Sequence, residues 1–257
     1  MGIFILKVLA ILFILLTGYV CGQYPSRVQT SADGMRKLDL GNAFSAGVFL
    51  GAGLLHMLPD GIAHLNMAFG SLDFPFAMLL SGAGFLLILM LEQGMLGGSE
   101  DVGAMSKGTE FYPYILLVVL SVHSIIAGAT LGLEGKILGS IALFIAIIGH
   151  KGAAAFALGI SLKKANFASS KYRKITAVFS TMAPLGAMIG IMMATMLSSQ
   201  SSVIFEAIFD SVAAGTFLYV ATLVVMAEVF EKSENSWLRV LLGIAGFMLM
   251  AVIAVYA

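Results

Sequence analysis

Residues 121–135, SVHSIIAGATLGLEG, and residues 149–162, GHKGAAAFALGISL, each set one histidine inside a long apolar run. The two align with each other. His123 and His150 both open the pattern H-x3-A-x3-L-G-[LI], through Ala127, Leu131, Gly132 and Leu133, and through Ala154, Leu158, Gly159 and Ile160. A lone buried histidine is more often a hydrogen-bonded packing residue than a ligand. Two at matching positions in neighbouring apolar segments point instead to a present or ancestral site. What such a site lacks is equally plain: one turn after each histidine stands an alanine, where a carboxylate would help to hold a cation.

The surroundings of these stretches decide the fold class. The 257-residue chain is 60% hydrophobic and 11% charged, a balance foreign to water-soluble domains. Apolar stretches of about 20 residues, enough to cross roughly 30 Å of hydrocarbon, recur along it. Eight spans are expected: Gly2–Gly22, Leu40–Asn66, Phe74–Leu96, Phe111–Leu133, Lys136–Leu162, Ile175–Leu197, Val203–Val229 and Trp237–Ala257. Each must be a helix, because a backbone in lipid has to satisfy its own hydrogen bonds. The connections are short, so residues 1–257 read as one all-α polytopic domain. The first span, with an apolar core from Val8 to Val20 after Lys7, has no clear small-x-small cleavage site after it and reads as a retained helix rather than a signal peptide. Cys21 is the sole cysteine, so no intramolecular disulfide can form and the redox compartment is undetermined. No nucleophile–base set or cofactor motif suggests an enzyme; zero net charge is uninformative, and nothing in the sequence resembles a nucleic-acid footprint.

With eight spans, the loops after the first, third, fifth and seventh share one side. That side holds Arg27, Arg36, Lys37, Lys107, Lys163, Lys164, Lys171, Arg173, Lys174, Lys232 and Arg239, eleven of the fourteen basic residues. The positive-inside rule then places both termini on the external or luminal face, with plasma and organelle membranes not distinguished. Tyr112, Tyr114, Tyr172, Trp237 and Tyr256 fall at span ends, where amphipathic rings favour the headgroup layer.

A second repeat spans the chain. AGVFL at 46–50 returns as AGTFL at 214–218, and Gly47 leads Asp60 by thirteen residues just as Gly215 leads Glu228. The two segments run in opposite directions across the bilayer, the mark of an inverted-repeat transporter with its site near the midplane. The chain then reads as three helices, two histidine helices and three helices. Chance recurrence of a common membrane pentapeptide is the alternative. Glycines four apart, at 47 and 51, 128 and 132, and 186 and 190, suit close helix packing in lipid. Pro59 and Pro184 are structural kinks or site elements.

Ionisable residues within a bilayer are functional candidates by default. His56, Asp60 and His64 form H-x3-D-x3-H, three metal-ligating side chains on one helical face near the outer end of the second span. They would make a vestibule that captures a divalent cation, or are simply the wet end of a helix. Glu206 and Asp210 sit where they could line the same mouth. Glu92 and Glu228 lie near inner ends, where solvation explains them equally well. His123 with Ser124, and His150 with Lys151, are far deeper.

With these residues in place, the sequence resembles the ZIP (Zrt/Irt-like) family of divalent-metal transporters over nearly its whole length. The resemblance rests on AGVFL followed by LLHMLPD, HSIIAG at 123–128, HKGAAAFALG at 150–159, APLGA at 183–187 and AGTFLY at 214–219. The HS and HKG pairings look most like the branch containing the human plasma-membrane zinc importers. The resemblance implies eight spans in a 3+2+3 layout with inverted outer repeats, alternating access, and Zn²⁺ held centrally by His123 and His150 with Ser124 beside them. It also implies acids where Ala127, Ala154, Ala183 and Val224 stand here. Lys151 matches a lysine that in that branch takes the place of a second metal. The loop 97–110 is short and lacks the histidines of many relatives.

Two imidazoles beside an ammonium leave a divalent ion without compensating charge, and zinc normally takes four ligands. The expectation is therefore a divalent-metal transporter, for zinc, whose central site is eroded. Its rival is a transport-inactive homologue serving as a structural or interaction subunit, as a homodimer or within a larger membrane assembly. A carrier that pairs Lys151 with an anion is a third reading. No cofactor is expected beyond Zn²⁺ as cargo, and the bilayer is the one certain partner.

Overall fold

The structure, a computed structural model, describes residues 2–95, 112–194, 199–222 and 236–255. Within them the chain is helical: α1 (Gly2–Arg27), α2 (Ala32–Ala52), a π turn (Gly53–Met57), α3 (Leu58–Phe69), α4 (Phe76–Met95), α5 (Tyr112–Leu133), α6 (Ile137–Lys164), α7 (Ser169–Met193), α8 (Ser199–Tyr219) and α9 (Ser236–Ala254). Seven helices among the described residues are long and apolar enough to cross a membrane, and Phe76–Leu91 is a shorter apolar one. Val224, Glu228, Lys107, Lys232, Tyr256 and the 97–110 loop lie outside the described residues.

The second span differs most from its sequence reading. It is one continuous rod from Ala32 to Phe69, starting eight residues before the apolar stretch. Ser31 caps its start, accepting a hydrogen bond from the Gly34 amide at 3.1 Å, and Asp33 pairs with Lys37 at 2.8 Å on the exposed first turns. Apolar content marks where lipid begins, whereas caps mark where the helix begins. Mid-rod, Pro59 has no N–H to give the carbonyl one turn back, and the helix widens into the π turn just before it. Gly70, at φ +78°, ends α3 and turns the chain towards α4.

Packing sorts the helices into two groups. α5 lies along α7, and α1 along α6 and α7; α2 lies along α9, and α8 along α3 and α4. The groups meet chiefly where α2 faces α6 and, more sparsely, where α9 faces α6 and α5 faces α8. Lipid offers helices no hydrophobic reason to associate, so contact depends on backbones coming close. A Cβ added to Gly47 would overlap the carbonyl oxygen of Gly243 and reach the Phe247 amide; one added to Gly215 would overlap that of Ser81 and reach the Phe85 amide. α5 and α7 interlock similarly, with Gly128 on the Ala183 carbonyl and Gly186 on that of Ile125. Phe49 and Phe217, the fourth residues of the two pentapeptides, meet edge to face where α2 faces α8 inside the second group, at 5.3 Å and 86°.

Gly47→Val and Gly215→Val should each lower the thermal midpoint of the solubilised protein by several degrees, since overpacking costs about 1–3 kcal/mol or more. Gly82→Ala, whose added Cβ meets nothing within 4 Å, should leave it unchanged. Fluorescence-detected size-exclusion thermostability measures all three; equal behaviour would show that the close approaches do not hold the groups together.

Candidate functional site

The π turn carries His56, and the α3 helix that follows carries Asp60 and His64. His56 Nδ1 lies 2.9 Å from Asp60 Oδ2, one turn on. His64 leaves that face and turns to α8, with Nδ1 3.2 Å from Asp210 Oδ2 and Nε2 3.7 Å from Glu206 Oε2. Gly61 makes this possible: its missing side chain lets Ser211 of α8 come against α3. The H-x3-D-x3-H face therefore divides, His56 with Asp60 and His64 with the two acids of α8.

These groups line a cavity of about 440 Å³ that opens at the end of the bundle bearing the Glu134–Lys136 turn. Asp60, Glu134, Glu206 and Asp210 put four carboxylates on its wall, and none of its lining residues is a lysine or arginine. A cleft of one sign between low-dielectric walls concentrates the opposite ion. The basic residues Arg27, Lys37, Lys163, Lys164 and Lys171 cluster at the other end of the helices. Lys136, in the turn at the mouth, and Lys7 are exceptions; the Lys7 ammonium donates to the Gly132 carbonyl at 2.6 Å and caps the negative end of α5 beside the mouth.

The cavity reaches down to His123. There His123 Nε2 and His150 Nε2 lie 3.1 Å apart, both rings buried, with ring centroids at 5.2 Å. Without a metal one ring must donate the shared proton and the other accept it. Phe217 stands edge-on to His123 at 4.7 Å and fixes its plane. His56, read from sequence as part of the mouth, comes to within 6.2 Å of the His150 ring centroid, so it borders the deep pair as well. His123 Nδ1 is buried with no hydrogen-bond partner among the described residues. Among those residues, no three His, Cys, Asp or Glu side chains as placed converge closely enough to hold a metal ion.

Lys151, only 2% exposed, is not among the residues that line the cavity. Its ammonium donates to Ser124 Oγ at 2.8 Å and to the Phe179 carbonyl at 3.2 Å, and sits 3.7 Å from the centre of the Phe179 ring. Gly18 leaves the room its chain occupies. Ser124 thus serves the lysine. The two alanines one turn after the histidines differ in setting: Ala127 lines the cavity, whereas Ala154 is buried in the main apolar core. Ala183 is also buried, its carbonyl occupied as the seat of Gly128. Glu134 escaped the sequence reading, because a lone acid in a short turn carries no spacing signal. The pairing of His64 with Glu206 and Asp210 escaped it too, since spacing within one helix says nothing of its neighbour.

Bilayer-length helices around a cavity of imidazoles and carboxylates define a multi-pass integral membrane protein with a cation-attracting interior. The family model described as ZIP Zinc transporter matches residues 4–101 and 96–254, and the chain belongs to that family. The zinc transporter ZIP2 of Mus musculus is 28% identical over 86% of this chain and 86% of its own length. The zinc transporter ZIP1 of Mus musculus is 27% identical over 95% of this chain and 89% of its own. Protein zntD of Dictyostelium discoideum is 31% identical over 61% of this chain, which spans 23% of that protein.

Removing the hydroxyl that Lys151 leans on should be costly, because a buried ammonium then keeps one hydrogen bond of two. Ser124→Ala should destabilise the protein by about 1–3 kcal/mol, and Ser124→Ala with Lys151→Met should recover most of that loss. Thermal unfolding of both variants in detergent is the measurement; a neutral Ser124→Ala would show that the contact carries no stability.

Proposed function

We propose that this chain moves divalent zinc across a membrane, loading it from the acidic mouth and passing it between His123 and His150. The observation that carries this reading is the cavity itself, which runs from four carboxylates at the mouth to a buried pair of facing imidazole nitrogens. Membership of a zinc transporter family and the names of the relatives agree with it. His64, between Glu206 and Asp210, is the first capture point. The His56–Asp60 pair lies below it, and the His123–His150 pair forms the floor.

The central site in this reading is eroded. Ala127 and Ala154 stand where the family resemblance implies acids, so the ion meets imidazoles at the floor and carboxylates only above it. Ser124 is occupied by Lys151 and is a poor ligand. Weak central binding and fast release follow, because fewer anions hold the ion.

Two further parts of the proposal concern architecture. Spans two and seven are read as inverted repeats, which the matched seats of Gly47 and Gly215 on a glycine or serine carbonyl and a following phenylalanine amide support. The cavity is read as opening to the external or luminal side, with the basic end of the bundle inside. A cysteine probe placed at Val255 should react with an impermeant maleimide from outside and one at Lys171 should not; the reverse pattern overturns the orientation.

Zinc uptake into proteoliposomes tests the function. Wild-type protein should carry zinc above empty vesicles, and His123→Ala should fall to background. Ala127→Glu, which adds an anion to the cavity wall, should lower the zinc dissociation constant about tenfold or more. Ala154→Glu should instead impair folding, since it buries an unpaired charge in the core. Wild-type vesicles no better than empty ones, with folded protein confirmed, would overturn transport and leave the reading of a structural subunit in a homodimer or larger membrane assembly.

A further inference from the structure

We infer that His56 is a third ligand of the central site and that Asp60, behind it, supplies the negative charge that the alanines on α5 and α6 withhold. This rests on the reading above that the ion passes between His123 and His150.

The geometry of the deep pair is already that of two ligands on one ion. Two imidazole nitrogens 2.0–2.1 Å from a tetrahedral zinc lie about 3.3 Å apart, and their ring centres about 5 Å apart. His123 and His150 stand at 3.1 Å between Nε2 atoms and 5.2 Å between centroids. An ion could replace the shared proton with little movement of either ring. His56 is the next imidazole, 6.2 Å from His150 by centroid, about 1 Å beyond the same spacing. Side-chain rotation spans that distance, so the three imidazoles, which do not converge as placed, can be brought together on one ion.

The chemistry of His56 suits the role. Asp60 Oδ2 engages Nδ1 at 2.9 Å, so the proton sits on Nδ1 and Nε2 presents a bare lone pair. A carboxylate behind a metal-bound imidazole raises its basicity and shares its charge with the ion. In that position Asp60 offers an anion without itself entering the central site. The π turn gives the arrangement its register: one extra residue per turn rotates the helix after Ala52, bringing His56 towards the floor and leaving His64 to α8. Three imidazoles and one water from the cavity make a four-coordinate site with an exchangeable position, which a carried ion needs.

The experiment uses full-length protein in which His64→Ala silences capture at the mouth, giving the baseline for further substitutions. Zinc X-ray absorption on the loaded baseline protein should report three imidazole ligands, falling to two with His56→Ala. Competition against a chromophoric chelator should show zinc affinity falling at least tenfold with His56→Ala. Asp60→Asn, which keeps the hydrogen bond and removes the charge, should cost about 10–100-fold. Adding Ala127→Glu to Asp60→Asn should restore most of the loss, since a second anion then faces the ion directly. Two imidazoles in both proteins with equal affinity would overturn the inference while vesicle uptake leaves the transport reading standing. An Asp60→Asn protein as tight as the baseline would overturn the charge assignment. Absence of both zinc binding in the baseline and wild-type flux would overturn the transport reading together with the inference.

Discussion

Everything in this protein depends on how closely its helix backbones approach. Lipid solvates an apolar side chain as well as another helix does, so association must come from packing and from polar contacts. The glycines at 47, 128, 186 and 215 each seat a helix against a neighbouring carbonyl oxygen, in a space a single methyl group would fill. These contacts lie within each of the two helix groups. They hold each group together and leave the boundary between them to larger side-chain contacts such as Phe217 against His123. That boundary is where the polar side chains gather, because it is where the backbones stand far enough apart to admit a cavity.

A cation entering this boundary faces a cost that rises with depth, as water thins and the effective dielectric falls. The side chains are graded in the same direction. Carboxylates stand at the mouth, where water solvates them, and buried imidazoles stand at the floor. The buried lysine fits this grading only because it is turned aside. Ser124, the Phe179 carbonyl and the Phe179 ring absorb its ammonium on the far side of α6. A lysine facing the cavity at the same depth would repel the ion from the imidazoles.

Much of the fold was legible in the sequence, and the reasons are simple. The hydrocarbon thickness sets helix length, and the ban on unpaired backbone groups sets helix type, so apolar stretches alone located the helices. Their ends were less legible, because Ser31 and Asp33 start α2 well outside the apolar run. The repeated pattern around His123 and His150 marked two residues that the structure brings into contact. The division of His56, Asp60 and His64 was not legible. Periodicity places residues on a face of a regular helix, and Pro59 removes that regularity by widening the turn before it. The different fates of Ala127 and Ala154 were hidden for another reason: an alanine in an apolar run reads the same whether it faces a cavity or a core.

For the transport proposed above, the deepest consequence of the two-group packing is that the candidate ligands are divided between the groups. His123 and His150 belong to α5 and α6, whereas His56, His64, Asp60, Glu206 and Asp210 belong to the π turn, α3 and α8. A ligand set split across a boundary is complete only in one register of the two groups. Sliding by a few ångströms would carry the histidine pair away from His56 and the carboxylates. The ion would then keep two neutral ligands and lose every nearby negative charge. Two neutral nitrogens hold zinc far less firmly than a set completed by imidazole and carboxylate. The alanines on α5 and α6 sharpen this difference, because an acid there would travel with the histidines and keep the ion bound after the groups had parted.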